Sequence, residues 1–175
     1  MPKEGNLIVT FEPTHQDSAL KEISMLLSEV KDKGDIIKAE EGVAELIVKD
    51  AKKAVRELSM LSKKSPDKFA FTSHWIPVEK WCKNAVADMQ KEIKSLALGI
   101  KKNEKWKMDL KIRKLKERPD EIKLITKLTE VVDNQNVDLG NPDKIIKIEI
   151  IGSKAGLALL DKGEFLNLSK LKQKG

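Results

Sequence analysis

Residues 101–118 (KKNEKWKMDLKIRKLKER) carry nine Lys/Arg against three Asp/Glu. From 105 to 113 the polarity alternates. Trp106, Met108, Leu110 and Ile112 fall on one side, and Lys105, Lys107, Asp109, Lys111 and Arg113 on the other, the period-two pattern of a strand. Alternate cations on a strand stand ~7 Å apart, close to the spacing of phosphates along one nucleic-acid strand. Arg113 and Arg118 can bind a phosphate bidentately, while Lys107, Lys111 and Lys114 supply point charges. Lys144 and Lys154 add charge at nearby turns. The chemistry implied is the binding of a polyanion. A merely solvated strand face is the weaker reading, because the run is so nearly of one sign.

Other motifs are less specific. Gly152-Ser153-Lys154-Ala155-Gly156 reads either as a turn offering backbone N–H groups to a phosphate or as an ordinary glycine-bearing β-turn. It is not a P-loop, since no Gly-Lys-Ser/Thr triplet opens a helix. Trp75, Trp81 and Trp106 fall on apolar faces by periodicity and are expected in cores, Trp75 as a wedge between two halves of the chain. Two histidines, His15 and His74, and the single Cys82 offer no metal cluster and no Cys-His pair. Hydrolase and dinucleotide glycine motifs are missing, so the chain is expected to be neither an enzyme nor a cofactor protein.

The 175 residues have a net charge of +6 and a pI near 9.2. Residues 1–76 hold 12 Lys+Arg against 13 Asp+Glu, and the remainder 22 against 15, so the positive field belongs to the C-terminal part. One cysteine excludes an internal disulfide, and no signal-like start or apolar run of ~18 residues is present, which predicts a cytoplasmic protein without a membrane span.

The elements that must position these residues divide at 76/77. Residues 1–76 predict a β-α-β-β-α-β series: a strand at 6–12, a helix at 14–30 with Thr14 and Asp17 as a capping pair and Gly34 as its stop, and strands at 35–39 and 43–48 joined through Glu40-Glu41-Gly42. A helix capped by Asp50 and a strand at 69–75 complete it. From Pro77 one long helical region is predicted, with Val78, Trp81, Cys82, Ala85, Val86, Met89, Ile93, Leu96 and Ile100 as its apolar stripe. After the basic strand comes a helix opened by Asp120-Glu121, with Ile122, Ile125, Leu128 and Val132 inward. An Asn-Pro-Asp turn then leads to two apolar strands, 144–151 and 157–160, whose content implies a central place in a sheet. The class is α/β (α+β).

On these residues the chain resembles a THUMP protein of the stand-alone kind that assists tRNA cytidine acetylation. The resemblance is carried by Lys105-Trp106-Lys107, Lys111-Ile112-Arg113, Arg118, Val137-Asp138-Leu139, Asn141-Pro142-Asp143, Ile148-Glu149-Ile150-Ile151 and Leu157–Leu160. It implies a ferredoxin-like domain over 1–76 and a THUMP RNA-binding domain over 77–175. It further implies an adaptor that holds the acceptor arm and 3′ end of tRNA while a partner acetyltransferase, using acetyl-CoA and ATP, makes N4-acetylcytidine in the D arm. The alternative is a detached recognition subunit of a thiouridine synthetase or methyltransferase. The tRNA contacts so implied are Lys111, Arg113, Arg118, Asn141, Lys144 and Lys154. Reversing Arg113 and Arg118 together is expected to spare folding and abolish most binding.

Overall fold

The computed structural model describes residues 4–115 and 117–169. In chain order its elements are β1 (Leu7–Phe11), α1 (Gln16–Glu29), β2 (Asp35–Glu40), β3 (Val43–Ile47), α2 (Ala51–Lys64), β4 (Thr72–Pro77), β5 (Lys80–Lys83), α3 (Val86–Ala97), β6 (Trp106–Arg113), α4 (Glu121–Thr129), β7 (Lys144–Ile151), β8 (Lys154–Asp161) and β9 (Leu166–Asn167). The fold is α/β. Residues 4–78 with 163–169 form one unit, and 79–162 the other.

In the first unit the strands order as β2-β3-β1-β4-β9, antiparallel throughout, which completes the expected β-α-β-β-α-β connectivity. Glu41 and Gly42 both take positive φ (51° and 83°), the backbone of a tight hairpin turn, and glycine meets that demand without a Cβ clash. Asp50 caps α2 by accepting from the Lys53 amide at 3.1 Å. Thr14 and Asp17 make no cap. Pro13 starts a 3-10 turn over Pro13–His15, so α1 begins only at Gln16, with His15 at its N-cap and no side-chain bond there. The helix ends well before Gly34, where Lys31 takes φ 57°.

The fourth strand of this unit begins at Thr72 rather than Phe69, because 69–71 are irregular backbone. Their N–H groups need partners other than a ladder. Buried Glu22 supplies one, accepting from Phe71 at 3.0 Å and Thr72 at 2.7 Å. Trp75, expected as a wedge, belongs to the first core, its Nε1 donating to Thr72 Oγ1 at 3.1 Å. The expected domain 77–175 also loses its tail to this unit. β9 pairs with β4, the Leu168 amide donates to Ser73 O at 2.7 Å, and Leu166 and Leu168 enter the same core as Leu7, Ile23 and Leu58.

The second unit has the sheet order β5-β8-β7-β6, with β6 and β7 parallel and the other pairs antiparallel. β7 and β8 are central, as their apolar runs imply. Ile146, Ile148 and Ile150 point to one face and form a core with Met89, Ile93, Leu124 and Leu128 from α3 and α4. Two expectations fail here. Residues 77–85 are not helical: Pro77 closes β4 and Lys80–Lys83 pairs with β8, so the helix starts only at Val86. Ile122 is 79% exposed and Leu124 takes the inward place, because α4 packs its Leu124 and Leu128 side chains into the core beneath the sheet's isoleucines. Trp106 is buried, its Nε1 donating to Asn134 O at 2.9 Å. Trp81 is only half-buried, with Lys154 Nζ 4.2 Å from its ring centroid. No helix among the described residues is long and apolar enough to cross a membrane.

Candidate nucleic-acid interface

Pairing fixes directions in the second unit. β5 and β7 both run antiparallel to β8, and β6 runs parallel to β7, so β5, β6 and β7 all finish at one end of the sheet. At that carboxyl end the register aligns Lys83, Lys154, Ile151 and Arg113 on successive strands, a row ~14 Å wide at the usual strand spacing. α3 begins shortly beyond β5, and α4 follows the loop after β6, so both helices turn their N-termini to this end. Helix N-termini favour anions through their free N–H groups. At α3 the N-cap is Ala85, with no side-chain bond, so its first amides remain available.

Lys83 is hidden from sequence reading because 77–100 scans as one helix; only the pairing of β5 with β8 places it beside Lys154. Two lysines directly opposite on adjacent strands repel, at a cost of roughly 0.2–1 kcal/mol. A bound anion would relieve that repulsion.

The expected site residues fall into two groups. Arg113, Lys154 and Arg118 lie at the carboxyl end, with Lys114 just past β6 and exposed Lys111 one pleat back. Arg118 is exposed, 3.7 Å from Glu121, with an Nη within 3.5 Å of Ile112 O. Lys144 and Asn141 lie at the opposite end, ~23 Å away along the eight residues of β6, and Lys107 is one residue in from that end. Lys144 is committed there. Its ammonium meets Asp161 and, at 3.5 Å, Glu104; the hydrogen bond to Asp161 leads in holding it above the usual lysine range. Asn141 Oδ1 accepts from Lys162 Nζ at 2.8 Å.

The 138–143 loop is a self-capped turn. Asp138 Oδ1 accepts from the Gly140 and Asn141 amides at 3.0 Å each, and Asp143 accepts from the Lys105 amide at 2.8 Å. The amide of Asn141, then that of Gly140, and the nearby Lys105 hold the Asp138 carboxyl below the ordinary range. At this end carboxylates and lysines are paired with one another.

The Gly152-to-Gly156 turn is shorter than expected, since Lys154, Ala155 and Gly156 are already strand. Gly152 takes φ 60°, and its amide donates to Arg113 O at 3.1 Å. Asn84 fastens the turn further, donating from its backbone N to Ser153 O and from Nδ2 to Gly152 O. The turn thus positions Lys154, and its Gly152 amide is already taken by Arg113. Cys82 faces the second core; burial, helped by Glu92 and Asp88, pushes its thiol up to about 11, so it is protonated near neutral pH.

Arg113 is partly committed. Its side chain is 19% exposed, and Nε donates to Glu149 Oε2 at 2.9 Å. Glu149 lies 2.9 Å from Lys147 Nζ, which lies 3.6 Å from Asp109. Arg113→Glu would therefore set a carboxylate against a buried one. We expect it to cost about 3–5 kcal/mol, read as a lowered urea midpoint. Arg118→Glu, before the N-terminus of α4, should shift stability by less than about 1 kcal/mol. On this geometry only the reversal at Arg118 is expected to spare folding, whereas sequence reading expects both to do so.

No family model and no curated protein matches the sequence. Among solved structures the fold is shared with PH1313 from Pyrococcus horikoshii, at 20% identity and TM-score 0.58, over 88% of this chain and 53% of that one. It is shared also with TrmN from Thermus thermophilus, at 16% identity and TM-score 0.57, over 96% and 48%. A possible methylase from Clostridium difficile aligns at 12% identity and TM-score 0.60, over 90% and 41%. At these identities the likeness is one of fold, and the chain spans about half the length of the proteins it matches.

Proposed function

We propose that this chain is a THUMP-type tRNA-binding protein acting as a non-catalytic cytoplasmic adaptor. It would hold the acceptor arm and 3′ end of tRNA and present a D-arm cytidine to a partner N4-acetyltransferase. The observation that carries the RNA-binding part is the row of Lys83, Lys154 and Arg113 at the carboxyl end of three like-directed strands, flanked by two helix N-termini. Such an end favours phosphates, and a splayed 3′ end can be followed by shape and charge without reading a groove. Holding one end of a tRNA rigidly raises the effective concentration of a distant base at another protein's active site.

A second reading, the recognition part of a tRNA methyltransferase, is supported by fold likeness to proteins named as TrmN and as a possible methylase.

The test compares affinity for an intact tRNA with that for the same tRNA lacking its terminal CCA, at fixed salt. The adaptor reading expects a loss of at least about tenfold on trimming, given stacking and phosphate contacts at the end. Equal affinity would leave only general attraction to polyanions. Co-purification with an acetyltransferase or with a methyltransferase separates the two readings.

A further inference from the structure

Within the RNA-binding reading, on which this inference rests, we infer that Glu149 is a positioning residue that sets the Arg113 guanidinium for a phosphate. Its side chain is 1% exposed and takes the Nε of Arg113 at 2.9 Å. Neither Nη group of Arg113 donates a hydrogen bond to another described residue. A guanidinium is a planar fork; fixing Nε fixes the plane in which the Nη pair meets a phosphate.

Glu149 is itself paired by charge, although its buried Oε1 takes no hydrogen bond from a described residue. Lys147, 4% exposed, reaches Glu149 at 2.9 Å and Asp109 at 3.6 Å, so charges alternate along Asp109, Lys147, Glu149 and Arg113. Ions buried in a central strand are expensive to desolvate, and an apolar pair would stabilise the sheet at least as well. On the other face of that strand Ile146, Ile148 and Ile150 already form the core. The network is thus surplus to packing, and its outer member stands in the row of cations at the carboxyl end.

The sign of one substitution decides the matter. As a bare charge, Glu149 repels RNA, so Glu149→Gln would tighten binding. As a positioning residue it strengthens binding, so the same change weakens it.

The experiment measures tRNA affinity, with thermal melts, for wild type, Glu149→Gln, Arg113→Lys, Arg113→Ala and Glu149→Gln in the Arg113→Ala background. We expect Glu149→Gln to bind about fivefold more weakly, and Arg113→Lys, which keeps the charge but loses the fork, to weaken similarly. The effect of Glu149→Gln should vanish once Arg113 is alanine. Equal or tighter binding by Glu149→Gln, an unchanged Arg113→Lys, or a Glu149 effect that persists without Arg113 would each overturn the inference. Should Glu149→Gln fail to fold, Glu149→Asp, which keeps the charge but draws it back from Nε, takes its place, with the same expected loss and the same dependence on Arg113. A wild-type protein that binds no RNA would overturn the functional reading itself, an outcome distinct from those three.

Discussion

Lys83→Glu combined with Arg118→Glu is expected to weaken binding of an intact tRNA by roughly 30- to 100-fold at about 0.1 M salt. Both side chains are exposed at the carboxyl end of the second sheet, and neither belongs to the buried Arg113–Glu149 network. Each reversal removes a cation and adds an anion. The slope of log affinity against log salt should fall by about 0.7–0.9 for each phosphate no longer neutralised. Folding should survive. A carboxylate at position 118 would precede a helix N-terminus that favours acids, and one at position 83 would replace a Lys–Lys repulsion with attraction to Lys154. The melting temperature should therefore hold or rise slightly. The control is Lys101→Glu with Lys102→Glu, the same charge change at the far end, where an effect under about threefold is expected. If the double variant binds like wild type with an unchanged slope, the carboxyl end is not the site. If the control weakens binding as much, only net charge matters.

Leu166→Ala with Leu168→Ala should be the most damaging change to stability. Both leucines are buried in the first core, and Leu168 also ties its backbone to Ser73. Large-to-small changes at such sites cost about 2–5 kcal/mol each, somewhat less than additively for close neighbours. The sum is a large part of the roughly 5–15 kcal/mol typical of a whole domain. The Arg56–Glu164 ion pair, with Glu164 4% exposed, would then hold a segment no longer anchored by its leucines. Amide exchange gives the reading: protection in β1 and β3 should collapse while β7 keeps its own. Equal protection in both sheets would mean that the 163–169 segment adds little to the first core.

Much of this architecture is readable from local signals. Asp50 and Asp120 announce their helices because an acceptor before an apolar-periodic run is chemically a cap. Glu41-Gly42 announces its hairpin, and unbroken isoleucines announce a central strand. What escapes reading depends on partners far along the chain. Val78, Trp81, Cys82 and Ala85 satisfy helical spacing, and nothing nearby reveals that residues 80–83 pair with 154–157. The candidate interface is half legible for the same reason. The basic run around Lys111 and Arg118 is visible, but Lys83 joins it only through that pairing. Conversely, Lys144 looks like a free cation until Asp161 and Glu104 are placed beside it. Lys147 and Glu149 look like interruptions in an apolar run until Asp109 and Arg113 arrive from the next strand.

The return of the chain to its first sheet also bears on how the protein is made. β4 ends at Pro77, and its neighbour β9 begins only at Leu166. At a synthesis rate of roughly 5–20 residues per second, the ribosome spends about 4–18 s on the intervening segment. Through that interval the β4 edge lacks its final strand, and the hydrophobic layer that Leu166 and Leu168 complete is open, a state prone to edge pairing with other chains. The second unit, contiguous in sequence, is itself complete only once β8 has been made to Asp161, just before β9 begins at Leu166. The first sheet thus waits for nearly the whole chain before its edge is covered, and the yield in a cell should depend on what shields that edge during those seconds.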